Sequence, residues 1–338
     1  MSRLAGRQGP AARQAGVTAL RLRTEWALIA VTSIVLCACG AAAPPQPSSQ
    51  TLSLNDPTGI VFDGSGNLWV ANYRGDSILM YTRDAIARGG RIQSRLSIAG
   101  PATMLRGPNR LAFDRGGSLW VADYDSDSIV AFTPAAMAKG GAVAPELTIK
   151  SEGVGRPTGL AFDSDGNLWV TNQATGDVIS IAAADLHAGG APKAAVTLAM
   201  PGGRSSIPEA LAFDREGTMW VALFGGNRVL GFRAPSLSRS GTPAPAFAIV
   251  TDSPIGLTFD SGGHVWVAEA SALRQFDPAH GSAPLRTVKW DAMPHPHTLA
   301  IDAAGDLWFS CQNNTIARVS ASQLASGDVH SPNAFINS

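Results

Sequence analysis

From residue 57 onward, short apolar runs alternate with polar turns at a period too short for helices. The segment beginning at Pro57 reads PTGIVFDGSGNLWVAN, an apolar stretch, a turn of Asp, Gly and Asn, and a second apolar stretch. Such runs, bounded by turn residues, predict antiparallel strands joined by tight hairpins. Asp63 can accept backbone N–H groups at the turn, and a glycine three residues later can take positive φ. Gly59 to Phe62 and Leu68 to Ala71 are the expected first and second strands. Ser77 to Tyr81 and Ser128 to Phe132 follow as third strands, and Leu96 to Ile98, Leu147 to Ile149 and Val196 to Leu198 as fourth strands. Between third and fourth strands lies a short helical segment. Thr133 and Pro134 start one, as a cap and a first-turn proline, and Gly140-Gly141 ends it.

The same pattern returns as PNRLAFDRGGSLWVAD from Pro108, PTGLAFDSDGNLWVTN from Pro157, PEALAFDREGTMWVAL from Pro208, PIGLTFDSGGHVWVAE from Pro254 and PHTLAIDAAGDLWFSC from Pro296. The copies lie roughly 40 to 50 residues apart, the interval of propeller blades. Each carries the Asp (63, 114, 163, 214, 260, 302) and the Trp (69, 120, 169, 220, 266, 308) at fixed offsets from its proline. Repeats of this kind bury their faces only by stacking. The fold class is therefore all-β, a six-bladed β-propeller of four-stranded antiparallel blades over residues 51–338, with short helical inserts and with the tryptophans packed between blades. Both Thr51–Leu54 and Pro332–Ile336 suit the outer strand that closes the ring, and the pattern leaves that choice open.

Ahead of the repeats, Arg13, Arg21 and Arg23 precede an apolar run, Ala27 to Val31 and Ile34 to Leu36, too short to span a bilayer as a helix. It ends in Leu36-Cys37-Ala38-Cys39-Gly40, which resembles the lipobox of bacterial lipoproteins. Residues 1–38 are then a lipoprotein signal peptide, Cys39 the lipidation site, and residues 39–50, rich in Pro, Ala and Ser, a tether without a core. The expected location is the cell envelope, outside the cytoplasm, with membrane contact through the lipid alone.

Composition narrows the partners. Lys plus Arg and Asp plus Glu both number 26, for a formal charge of zero, so nothing favours nucleic acid. Of three cysteines, only Cys311 lies outside the leader, which excludes a disulfide framework and suits a buried thiol.

The pattern P-x-G-L-x-F-D-x-x-G-N-L-W-V-x-N resembles the NHL-repeat propellers and the related gluconolactonase and streptogramin (virginiamycin B) lyase groups. The resemblance covers about residues 51 to 338 and specifies the blade more than the activity. It implies either an interaction module or an enzyme with a metal at the central channel.

Positions identical in all six copies serve the blade, and positions that differ are free for a site. The residue after each proline is Thr58, Asn109, Thr158, Glu209, Ile255 and His297, and the third residue after each tryptophan is Asn72, Asp123, Asn172, Leu223, Glu269 and Cys311. Antiparallel strands bring both sets to one mouth of the channel. Asn109, Glu209 and His297 come from alternate blades and, with Glu269, offer ligand atoms for calcium, magnesium or zinc. The resemblance adds weight, since Glu209, Glu269 and His297 stand where streptogramin lyases place Glu and His, with His295 the candidate second histidine. Tyr73, Asp123, Tyr124 and Phe224 form a candidate ligand surface. Arg74-Gly75-Asp76 spells an adhesion tripeptide that Gly-rich turns also produce by chance. The leading expectation is a monomeric, non-catalytic module presenting the mouth to a protein, peptide or glycan. The alternative is a metal-dependent lactone hydrolase or streptogramin-type lyase with Glu209 and His297 as ligands or acid–base groups.

Overall fold

The computed structural model describes residues 52–337 apart from 151–152, 188–189, 290–294, 327–328, 330 and 333. The signal peptide, Cys39, the tether and Thr51 lie outside the described residues. The chain divides into two units, Met1–Pro44 and Pro45–Ser338, and the second is the propeller.

Each repeat folds into one antiparallel blade. Blade 1 runs Pro57–Phe62, Leu68–Asn72, Ser77–Tyr81 and Leu96–Ala99 from the axis outwards. The inner strands of the others are Pro108–Phe113, Pro157–Phe162, Pro208–Phe213, Gly256–Phe259 and Pro296–Ile301. The helical inserts vary. Arg83–Arg88, Pro134–Lys139 and Ala321–Ser326 are α-helical, Ala234–Leu237 is a 3-10 turn, and blade 5 makes only a short turn around Asp277. Thr133 caps its helix as expected, accepting from Ala136 N.

The repeated Asp does more than cap the turn. Asp63 Oδ1 accepts from the backbone of Ser65 and Asn67, while Oδ2 accepts from the Trp69 indole at 2.9 Å. Blades 2, 3, 4 and 6 repeat the Asp–indole bond at 2.8 to 2.9 Å, and in blade 5 Gln275 reaches Asp260 Oδ2 at 2.6 Å. At Asp63 and Asp163 burial alone would raise the carboxyl, but the donors outweigh it and hold both below the ordinary carboxylate range.

In the five blades that have it, that bond fixes the tryptophan for packing on the next blade. Trp69, Trp120, Trp169 and Trp220 meet Phe113, Phe162, Phe213 and Phe259 edge-on at 5.8 to 6.2 Å between ring centres. Trp308 meets Phe62 at 6.0 Å and so joins the last blade to the first. Trp266 packs on Ile301, which replaces phenylalanine in blade 6. The core is thus a ring of inter-blade clusters, each uniting one blade's tryptophan with the next blade's inner strands.

The C-terminal segment closes the ring. Ala334–Asn337 pairs antiparallel with Thr315–Val319 as the fourth strand of blade 6, whereas Leu54 packs beneath that junction without forming a strand. The outer strands are then clasped by the glycines that end the following blade's insert. Gly141 exchanges two backbone bonds with Ser97 and Ala99, and Gly241 does so with Thr197 and Ala199. Gly90–Arg91 pairs in parallel with Ile336 and Asn337, which brings the same device to the ring junction.

Candidate functional site

At the end of the ring opposite the Asp turns, the chain enters each inner strand through a sharp bend. Asp56, Gly107, Arg156 and Ile207, each just before the strand's proline, have φ of 46 to 62°. Such values are unusual for a β-branched residue such as Ile207, whose backbone is strained here. The bend is held from the second strand's end: Tyr73, Tyr124, Gln173, Phe224 and Gln312 donate backbone N–H bonds to Asp56, Gly107, Arg156, Ile207 and His295. The same bonds set five side chains around the mouth.

The inner strands do not stand alike. A Cβ on Gly59 would lie 2.4 Å from Asn109 O, and one on Gly256 would lie 2.2 Å from His297 O, so blades 1 and 5 close tightly onto blades 2 and 6. Gly159 approaches Ala210 and Leu211 in the same way. Thr58 and Thr158 also reach the next blade, donating to Pro108 O at 3.1 Å and Pro208 O at 2.9 Å. Ser310 donates at 2.6 Å to Thr58 O across the sixth and first blades, so the ring of inner strands is tied there too, and Asn109, Glu209 and His297 come from alternate blades.

These three line one cavity of about 290 Å³ together with Asp56, Thr58, Tyr73, Arg110, Tyr124, Thr158, Gln173, Phe224, Ile255 and Gln312. Tyr73 and Tyr124 meet edge-on at 6.3 Å. Tyr124 donates its hydroxyl to Gln173, which donates at 2.7 Å to Glu209, so a side-chain chain runs across three blades and orients the carboxylate. Burial raises the Glu209 carboxyl, with the Arg110 charge and the Gln173 bond pulling the other way. Burial, with Arg110 and His295 nearby, lowers His297 to about 4 and leaves it neutral at pH 7. Burial and the Asp125 charge push Tyr73 up to about 12.

Sequence reasoning missed Arg110. Its side chain leaves blade 2, donates at 3.0 Å to Asn109 Oδ1, and crosses the channel to donate at 3.0 Å to Ile255 O in the opposite blade. It is 6% exposed and lines both the mouth and a deeper channel cavity of about 470 Å³. Burial lowers it to about 10, which keeps it cationic at neutral pH. The signal was present in the sequence. The equivalent residues are Gly59, Gly159, Ala210, Gly256 and Thr298, and a lone arginine among small residues has no scaffold role.

Glu269 and Asp123 stand apart from this group. Glu269 is buried against Thr251 and lies 3.2 Å from Arg274, outside the mouth cavity. Asp123 has no exposed surface. It accepts from Arg106 N at 2.8 Å and from Ser126, and burial pushes it up to about 6. Both belong with Asn72 and Asn172, which tie down the loop before the inner strand. The expectation that the two variable sets would share the mouth holds only for the residues after each proline. Among the described residues, no three His, Cys, Asp or Glu side chains gather as for a metal ion. Asp76 accepts from Gly107 N at 2.8 Å, so the Arg74-Gly75-Asp76 triplet is an inter-blade joint. Cys311 is buried, and burial pushes its thiol up to about 12.

The profile of the SMP-30/Gluconolactonase/LRE-like region family matches residues 87–235. No curated protein matches the sequence. Among solved structures, a streptogramin B lyase is similar with a TM-score of 0.57 and 15% identity, over 81% of this chain and 83% of that one. Virginiamycin B lyase from Staphylococcus aureus gives 0.56 and 18%, over 80% and 84%. The extracellular domain of a hybrid two-component system from B. thetaiotaomicron gives 0.58 and 15%, over 82% of this chain and 36% of that one. At these identities the likeness is one of fold, the six-bladed β-propeller.

Proposed function

We propose that this protein is a non-catalytic binding propeller of the cell envelope, anchored by a lipid on Cys39, whose mouth cavity takes a hydroxyl-rich glycan. The observation that carries this reading is the Arg110 guanidinium bridging Asn109 and Ile255 beside Glu209. A cation already stands among the atoms that a metal would need, and Glu269 is engaged elsewhere. The residues present therefore do not fit a catalytic divalent ion, and no metal-assisted step follows from them. What remains is a ring of amides, one carboxylate and the arginine below Tyr73, Tyr124 and Phe224, a surface that offers hydrogen bonds and ring faces to a sugar.

Location outside the cytoplasm is supported by the lipobox-like segment and by the fold shared with an extracellular sensor domain. Among the described residues no helix is long and apolar enough to cross a membrane. The anchor is tested by Cys39→Ser, which is expected to abolish detergent-phase partitioning. Unchanged partitioning removes the lipid.

Binding is tested on a glycan array with the wild type and with Tyr124→Ala, which removes both the ring and the donor to Gln173. The expected result is a glycan bound by the wild type and lost or weakened at least tenfold in the variant. Turnover of an aldonolactone or a streptogramin B substrate would overturn the non-catalytic reading.

A further inference from the structure

We propose that Arg110 is a resident cation, built into the chain at the channel axis in the place of a metal ion, and that removing it uncovers a divalent-metal site formed by Asn109, Glu209 and His297. The inference deepens the metal-free reading of the mouth and rests on it.

Three features carry the inference. Asn109, Glu209 and His297, the residues after the proline in alternate blades, bring oxygen and nitrogen ligand types to the same cavity. Arg110 is the residue shared by that cavity and the deeper channel cavity, and it spans opposite blades through its bonds to Asn109 Oδ1 and Ile255 O. Its acceptors are an amide oxygen and a backbone carbonyl, with a carboxylate close enough to feel its charge, the oxygen types that also bind hard or borderline cations. A guanidinium satisfies such acceptors with fixed planar donors and cannot leave, so it organises the mouth without depending on metal supply. Glutamate and histidine placed there without it would be left with a buried carboxylate lacking a counter-charge, which a divalent ion would answer.

The two substitutions that test this are already found in the repeats. Ala210 and Thr298 occupy the position of Arg110 in blades 4 and 6, so Arg110→Ala and Arg110→Thr each suit the blade backbone, and either suffices if the other fails to fold. Calorimetry of the full chain with zinc, manganese, calcium and magnesium chlorides is the measurement, with melting temperature followed in parallel. The wild type and Arg110→Lys are expected to bind none of the four more tightly than about millimolar. At least one folded variant lacking the cation is expected to bind one equivalent at least a hundredfold more tightly than the wild type, with a metal-dependent rise in melting temperature that adding Glu209→Ala abolishes. If the wild type is metal-free and neither Arg110→Ala nor Arg110→Thr gains a metal, this inference alone falls. If the wild type itself binds an equivalent tightly, the metal-free reading of the mouth falls with it.

Discussion

The turn end and the mouth end of the propeller are made from the same six copies, yet they differ in symmetry. At the turn end, each blade repeats its Asp, and five of the six Asp carboxylates hold their own tryptophan indole at 2.8 to 2.9 Å. At the mouth the six equivalent positions carry different side chains, and a single arginine crosses the axis. The repeated end supplies the packing that closes the ring, and the divergent end is released from that duty. Stability should therefore respond to substitutions in the tryptophan ring, while mouth substitutions change what binds.

The largest expected effect is at the repeated end. Trp169→Ala empties a site 3% exposed, strips the donor from Asp163 and removes the contact with Phe213. Chemical denaturation should show a loss of roughly 3 to 5 kcal/mol. A melting temperature within a degree or two of wild type would mean that the inter-blade rings do not hold the fold.

Asp123→Asn tests the loop-tying set at the mouth end, outside the cavity, where blades 1 and 3 already carry asparagine. The folded Asp123 carboxyl titrates near 6 against an ordinary 3.8, so the folded state holds the extra proton between those values. Its contribution is thus fully present below about pH 4 and lost as pH rises through 6. The variant should match or trail the wild type at pH 3.5 and gain on it up to pH 7, by about 3 kcal/mol at most. A stability difference that does not change with pH would show that the buried carboxyl is not strained.

The smallest effect separates the five aromatic junctions from the one at Ile301. Phe113→Ile copies the blade 6 contact into blade 2 and should cost about 1 kcal/mol, the edge-on ring contribution beyond burial. A loss as large as that of Trp169→Ala would mean that the phenylalanine, not the tryptophan, anchors each junction.

The repeated end was legible in the sequence because six copies repeat one solution. The hairpins, third strands and Thr133 cap lie where their residues predict. The Asp–indole bond was not anticipated, although the constant spacing of Asp and Trp was its trace. The mouth was legible only in part. Asn109, Glu209 and His297 do share a cavity, but Asp123 and Glu269 turn into the loop layer. The inner strands shift register just after their proline, between Pro57 and Ile60 in blade 1 and between Pro108 and Arg110 in blade 2. A slip of one residue changes which way a side chain points, and no residue pattern announces it. Ring closure was undecided for a related reason, since two short apolar segments suit one strand slot and only pairing separates them.

The most direct test of the account is metal analysis of the full chain purified without chelator, followed by titration with calcium, magnesium, manganese and zinc. A mouth held by its own guanidinium predicts less than a tenth of an equivalent of any metal and no binding tighter than about millimolar, or roughly 4 kcal/mol. One tightly held equivalent, lost in Glu209→Ala, would contradict it.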